Sequence, residues 1–96
     1  MLRNVTQLCY NIGMGNKKEK AKRLAEYLDH KCIEYDLNHL KEYSQLNIVN
    51  SCGEVIVRIY ESKIVFEEHL KDGSIGREKY YGSLSNQNLH EIVWSL

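Results

Sequence analysis

The sequence predicts one α+β domain, and the periodicity of its apolar residues carries this prediction. Apolar residues recur at helical spacing near the start and at the end, while the segments between them alternate apolar and polar residues. We expect a three-stranded antiparallel meander over about residues 54–81, covered by an amphipathic helix at about 17–29 and a C-terminal helix at about 86–96. A chain of 96 residues holds one core, so residues 1–96 are predicted to form a single domain.

The first helix is predicted from a narrow apolar stripe. Its residues fall at positions i, i+3, i+4 and i+7: Ala21, Leu24, Ala25 and Leu28. Asn16 is a suitable N-cap, because its side-chain oxygen can accept a hydrogen bond from the first turn. Before this helix, residues 5–12 have a short apolar pattern that suits a strand or a helix equally, and Gly13 and Gly15 end it.

Residues 32–46 allow two interpretations. Residues 32–37 alternate as a short strand would, but Asp36 can also cap a helix. The apolar residues of that helix would be Leu37, Leu40, Tyr43 and Leu46. Residues 47–53 contain Asn, Ser and Gly and are predicted to form a loop.

The strands of the meander begin with two β-branched segments, 54–60 and 63–70. If residues 61–62 form a two-residue turn, two pairs of residues face each other: Ile59 and Ile64, and Val57 and Phe66. Glu-Ser is poor chemistry for such a turn, so one continuous bent strand is the alternative.

A second hairpin is predicted at the Asp-Gly sequence of residues 72–73. Plain pairing around this turn would set Phe66 opposite Lys79. We predict instead a bulge at Gly76 that shifts the register by one residue and places Phe66 beside Tyr80.

The last helix has Ser85 as its candidate cap. Its buried stripe is predicted to be Leu89, Ile92, Val93 and Leu96. Trp94 lies off the centre of this stripe, so we expect its ring to be about half exposed and to suit an interface.

The charges balance, with 13 Lys and Arg residues against 13 Asp and Glu residues. This balance argues against broad capture of DNA or RNA by charge. The cysteines Cys9, Cys32 and Cys52 show no C-x-x-C spacing and are predicted to be free thiols of a cytoplasmic protein. No apolar run is long enough to span a membrane, so no membrane partner is expected. The absence of proline and the many Asn, Lys, Tyr and Ile residues suggest an AT-rich genome, such as that of a bacteriophage or mobile element.

The first candidate site is the start of the first helix, where Asn16, Lys17, Lys18 and Lys20 follow a glycine turn. Lysines are mildly unfavourable at a helix N-terminus, so an anionic partner such as a phosphate or an acidic surface would stabilise them. The alternative interpretation is an ordinary solvated helix face. Neither the phosphate-loop nor the dinucleotide motif is present, so no cofactor is predicted.

The second candidate site is the adjacent pair Tyr80 and Tyr81, whose side chains must point to opposite faces of a strand. One ring can then lie in the core while the other is exposed. An exposed tyrosine near Arg58 or Lys79 would suit either a protein interface or stacking on nucleic-acid bases.

Catalytic and metal sites are not predicted. Glu61-Ser62-Lys63 matches part of a metal-dependent nuclease core, but that chemistry needs a second carboxylate beside it. Glu67 and His69 share one face of a strand and would supply only two ligands, whereas a zinc site needs four.

These patterns predict a small non-enzymatic interaction protein, a regulator or inhibitor that binds a partner macromolecule, with a protein the favoured partner. The alternatives are a nucleic-acid-binding module of the winged-helix type, which would use the basic helix start, and a small metal-dependent nuclease. A homodimer is also conceivable from the sequence, because the edge strand of a small sheet carries unpaired backbone groups.

Overall fold

The computed structural model describes residues 16–51 and 53–96. These residues form a five-stranded antiparallel sheet with two helices packed against one of its faces. The elements follow in the order α1 (Asn16–His30), β1 (Asp36–His39), β2 (Ser44–Asn50), β3 (Gly53–Ile59), β4 (Ile64–Leu70), β5 (Ile75–Tyr81) and α2 (Asn86–Trp94). The strands lie side by side in sequence order. The coarse α+β prediction is therefore confirmed, while the choice between strand and helix for residues 5–12 lies outside the described residues.

Two strands precede the predicted three-stranded meander. Residues 36–39 and 44–50 form β1 and β2, so the alternative helix and the predicted loop over residues 47–53 are both wrong. The reason is period-two burial: Leu46 and Ile48 lie in the core, while the polar residues between them face the other side of the sheet. Because no second helix forms here, the helix pair of a winged-helix module is not formed.

Both helices bury the stripes that their spacing predicts. All four residues of the α1 stripe are buried, as are Leu89, Ile92 and Val93 of α2, whereas Leu96 follows the helix and is only partly buried. The Ser85 side chain accepts a hydrogen bond from the Asn88 backbone nitrogen, which confirms the predicted cap. Of these two described helices, neither has the length and apolar character that crossing a membrane requires.

The turn between β3 and β4 has two residues, so the hairpin forms and the alternative of one continuous bent strand is wrong. The backbone nitrogen of Tyr60 donates to the Lys63 carbonyl oxygen across it, at 2.9 Å. The resulting register sets Ile59 opposite Ile64 and Val57 opposite Phe66, and these four side chains are buried. Core packing on the flanking strands thus accommodates a turn sequence with little intrinsic preference for this geometry.

The turn between β4 and β5 is one residue longer than predicted. The Leu70 backbone nitrogen donates to the Ser74 carbonyl oxygen at 2.8 Å, which leaves three residues in the loop. Gly73 takes a φ of 91°, a conformation that glycine adopts without strain. Asp72 accepts hydrogen bonds from the backbone nitrogen and hydroxyl of Ser74 and so closes the turn.

The longer turn shifts the register of β4 against β5 by one residue. A bulge opposite Glu68 reverses this shift, so that the rest of the two strands pair as a two-residue turn would have paired them. Phe66 consequently faces Lys79, and the predicted pairing of Phe66 with Tyr80 is wrong. The bulge lies on β5 beside Gly76, where an added Cβ would stand 2.9 Å from a Glu68 carboxylate oxygen. Glycine therefore leaves room for the Glu68 side chain at this point.

Arg77 uses that room to join three elements. Its guanidinium donates to both carboxylate oxygens of Glu68, at 3.0 and 3.2 Å, and to the Ser95 carbonyl oxygen beyond α2, at 2.7 Å. The hydrogen bond from Arg77 holds the pKa of Glu68 below its usual value. A bidentate pair of this kind fixes the end of α2 against β4 and β5.

Replacing Tyr81 with phenylalanine is expected to stabilise the fold. Tyr81 is only 7% exposed, and its hydroxyl has no hydrogen-bond partner among the described residues. Because an unpaired buried hydroxyl carries a desolvation cost, we expect Tyr81→Phe to raise the free energy of unfolding by up to about 1 kcal/mol. Urea unfolding checks this, with Tyr80→Phe at the exposed neighbour as the matched control. A loss of stability in Tyr81→Phe would show that the hydroxyl is bonded in solution.

Candidate interaction surface

One face of the sheet carries the core, and no described residue covers the other face. The register aligns its side chains in rows across β2 to β5. One row is Asn47, Ile56, Glu67 and Glu78, and the next is Gln45, Arg58, Val65 and Tyr80. We call the face that carries these two rows the open face. Its residues are half-buried or exposed, in contrast to the buried residues that alternate with them along each strand.

Three tyrosines gather at one end of the open face, around one lysine. The rings of Tyr43 and Tyr60 lie 5.1 Å apart at an angle of 49°. The Lys63 ammonium lies 4.7 Å from the Tyr60 ring centre and 5.6 Å from that of Tyr80. Tyr80 is 68% exposed, so much of its ring remains available for contact. We call these four residues the tyrosine cluster.

Arg58 connects the tyrosine cluster to a network of hydrogen bonds. Its guanidinium carbon lies 5.9 Å from the Tyr43 ring centre, and its nitrogens donate to Gln45 at 3.3 Å and to the Glu67 carboxylate at 3.1 Å. His69 contacts the same Glu67 oxygen at 3.2 Å. The hydrogen bond from His69, followed by that from Arg58, holds the pKa of Glu67 below its usual value.

The network continues across β2 to β3. Gln45 donates to the Asn47 side-chain oxygen, and Asn47 donates to the Glu54 carboxylate, each at 2.9 Å. Side chains that hold one another in this way lose little further freedom when a partner arrives. The open face is therefore preorganised along most of its width.

Charge is divided along the open face. Arg58 and Lys63 lie at the tyrosine end, whereas Glu54, Glu67 and Glu78 lie towards the other side. Glu78 stands directly opposite Glu67, and among the described residues no cation lies within ion-pair distance of it. Like charges directly opposite each other weaken a sheet. Arg58 and His69 offset the charge of Glu67, so Glu78 is the carboxylate of this pair that a cation from a partner would compensate.

The predicted lysines lie on α1, which packs against the buried face of the sheet, and two of them have partners in the fold. Lys17 pairs with Glu61 at 3.3 Å and donates to the Lys41 carbonyl oxygen at 3.1 Å, while Lys20 donates to the Asn86 side chain at 3.3 Å. Asn16 begins the helix and is half-buried, and Lys18 is exposed.

The predicted tyrosines separate as expected, with Tyr80 on the open face and Tyr81 in the core. The structure thus leaves Tyr80 alone among the predicted site residues on the open face. The prediction missed Tyr43, Tyr60 and Lys63. The predicted hairpin already brought Tyr60 and Lys63 together, because they flank its two-residue turn, but Tyr43 precedes a strand that the sequence did not reveal.

Lys18 and Lys22 of α1 face His39 at the end of β1. Burial, and then the charges of Lys18 and Lys22, hold the pKa of His39 below its usual value. The His39 ring nitrogen Nδ1 lies 2.8 Å from the hydroxyl of Ser44, which is fully buried. The lowered pKa favours the neutral imidazole of His39, so the positive charge at this end of α1 comes from the exposed Lys18 and Lys22, which we call the positive patch.

The nuclease-like triplet does not assemble. Glu61 turns towards α1 and pairs with Lys17, whereas Lys63 lies between tyrosine rings on the open face. Within residues 16–51 and 53–96, no group of three or more His, Cys, Asp or Glu residues is placed to hold a metal ion.

A second exposed aromatic group lies on the helical side. The His90 ring stacks on Tyr27 at 4.4 Å and on Trp94 at 5.9 Å, and Trp94 is 71% exposed. Trp94 is thus more exposed than predicted. Because Trp94 lies on the helical side of the sheet, substitution of Trp94 can serve as a control for substitution of Tyr80.

Comparison of this chain with protein-family models, with curated proteins and with solved structures finds no match. Its function must therefore be inferred from the chemistry of its own surfaces. The open face and the positive patch at α1 are the two regions that offer such chemistry.

Acidification is expected to weaken the network around Glu67. Because the pKa of Glu67 is lowered in the folded protein, its contribution is complete above the ordinary value of about 4.3 and is lost as pH falls below it. Urea unfolding between about pH 6 and about pH 3 should show the difference between the wild type and Glu67→Gln shrinking as pH falls. Glu42→Gln, exposed in the turn between β1 and β2 and outside this network, is the control. A difference that stays constant with pH would contradict this assignment.

Proposed function

We propose that this chain is a small non-enzymatic interaction protein, a regulator or inhibitor, that binds a partner protein through the open face of its sheet. The observation that carries the proposal is the tyrosine cluster, where a largely exposed Tyr80 stands beside Lys63 and two further tyrosine rings. Tyrosine and arginine are enriched among the residues that contribute most binding energy in protein interfaces.

The geometry of the tyrosine cluster supports this role. A tyrosine offers a large contact area with few rotatable bonds, so little conformational entropy is lost on binding. Tyr43 and Tyr60 support each other, and Arg58 is held by Gln45 and Glu67. A partner would therefore meet a surface that is already ordered, with polar groups around an aromatic centre.

The charge distribution favours a protein over a nucleic acid at this face. A polynucleotide that stacked on the tyrosines would continue along the sheet towards Glu54 and Glu78, where its phosphates would be repelled. A protein surface can instead present cations to these carboxylates and anions to Lys63. The acidic side of the face thus becomes part of the recognition.

Nucleic-acid binding at the start of α1 is the second candidate. The observation that favours it is the positive patch, in which Lys18 and Lys22 lie exposed one turn apart on α1. A phosphate there would be attracted by both lysines and by the helix N-terminus. The partners of Lys17 and Lys20 within the fold make this candidate the weaker one.

Truncating Tyr80 should remove partner binding while leaving the fold intact. We expect Tyr80→Ala to weaken the affinity for the partner by about tenfold or more, because truncation of a central interface tyrosine costs about 2 kcal/mol. The measurement is affinity capture from a host lysate, followed by titration of the captured protein with purified variants.

Trp94→Ala is the matched control, since Trp94 is as exposed as Tyr80 but lies on the helical side. The wild type and Trp94→Ala should capture the same protein in equal amounts. If Tyr80→Ala binds that protein as tightly as the wild type, or if Trp94→Ala alone loses it, the open face is not the binding site.

Charge reversal tests the second candidate. Replacing Lys18 and Lys22 with glutamate should abolish binding of single-stranded DNA or RNA oligonucleotides, and wild-type binding should fall steeply with salt. Fluorescence anisotropy at several salt concentrations measures both effects. Tyr80→Ala is the control here, and oligonucleotide affinity that is unchanged by the charge reversal would exclude this site.

A further inference from the structure

The two edges of the sheet differ in length. Strand β1 has four residues, whereas β5 has seven, as many as each interior strand. On β5, every residue except Tyr81 is exposed. A short edge strand protects a sheet against pairing with other chains, and β5 lacks this protection.

The hydrogen bonds of the two turns show which backbone groups of β5 face outward. Leu70 donates across the last turn to Ser74, and the Lys63 carbonyl accepts from Tyr60 in β3. Along an antiparallel strand, the backbone N–H and C=O groups of successive residues point alternately to one neighbouring strand and to the other. The backbone groups of the even-numbered residues of β4 therefore point towards β5. Phe66, for example, exchanges hydrogen bonds with its partner Lys79.

It follows that Lys79 and Tyr81 point their backbone groups towards β4, while Glu78 and Tyr80 point theirs away from the sheet. No described strand pairs with that outer edge. Two donors and two acceptors are therefore presented in register on a regular stretch of strand beyond the bulge. This is the pattern that another β-strand recognises.

We propose that a second copy of this chain pairs with β5 antiparallel to it, with Lys79 of each copy next to the two-fold axis. In this register, Glu78 of each copy lies opposite Tyr80 of the other. The outward groups of both residues are then used, which makes four hydrogen bonds between the copies. The two five-stranded sheets join into one of ten strands.

Side-chain charges favour this register over the one centred on Glu78. Centring on Glu78 would place two Glu78 carboxylates directly opposite each other, whereas centring on Lys79 places a tyrosine opposite each glutamate. The two Lys79 side chains do meet near the axis, but each ammonium lies 3.4 Å from the Ser95 hydroxyl of its own chain. Their charges are thereby drawn towards the helices.

The pairing would also place both open faces on the same side of the joined sheet, with the two Tyr80 rings near the axis. This arrangement follows because a two-fold axis perpendicular to a sheet keeps each face on its own side. The dimer would present two tyrosine clusters to a partner, although its formation does not depend on what that partner is.

Sedimentation equilibrium of the full chain over a range of concentrations tests the dimer. An interface made by two strand edges is small and therefore weak, so we expect a monomer–dimer equilibrium at concentrations of about 10–100 μM. Glu78→Pro removes an outward N–H that β4 does not use and should weaken dimerisation by about tenfold or more. Glu78→Thr keeps the N–H and the strand preference and should leave the dimer in place. A wild type that is monomeric at every concentration would overturn the proposal.

Disulfide trapping checks the register and does not rely on a proline variant. In a background where Cys9, Cys32 and Cys52 are replaced by serine, Lys79→Cys should form a covalent dimer on mild oxidation, because the Cα atoms of a non-hydrogen-bonded pair on the axis lie about 4.5 Å apart. Ile75→Cys, far from the axis on the same strand, should not. Equal cross-linking at both positions, or cross-linking at Ile75→Cys alone, would refute this register.

Discussion

Each central strand of this sheet buries the side chains of one face and turns those of the other face away, and the rest of the structure depends on this one-sided burial. The inner face provides the layer on which α1 and α2 pack, with Phe66 and Ile59 fully buried at its centre. Among residues 16–51 and 53–96, both helices pack on that inner face, and none of these residues covers the other face. The open face is thus a consequence of how the core is built.

Two local features keep the inner layer closed at β5. The bulge beside Gly76 restores the pairing that the three-residue turn displaces, and it leaves space for the carboxylate of Glu68. Arg77 then joins that carboxylate to the end of α2. Through this link, the register that places Tyr80 on the open face is coupled to the packing of the C-terminal helix.

Much of the secondary structure was predictable because it is set by interactions between residues that are close in sequence. The stripe of α1, three of the four stripe residues of α2 and the Ser85 cap follow from spacing within one element. Of the candidate site, only the exposure of Tyr80 and the burial of Tyr81 followed in the same way. The position of the lysines on α1 was predictable too, but their partners, such as Glu61, lie far away in sequence.

The sequence by itself determined the two helices and the alternation that sends Tyr80 and Tyr81 to opposite faces, because each is set by local periodicity. It left the β3–β4 hairpin open against one bent strand, and the pairing of Ile59 with Ile64 in the core decided for the hairpin. Only the tertiary structure decided that residues 44–50 form a strand, since their polar residues are acceptable on an open face once Leu46 and Ile48 pack in the core. The same long-range pairing brought Tyr43 to Tyr60. The tyrosine cluster is assembled by contacts between segments that are far apart in sequence, and local periodicity does not predict such contacts.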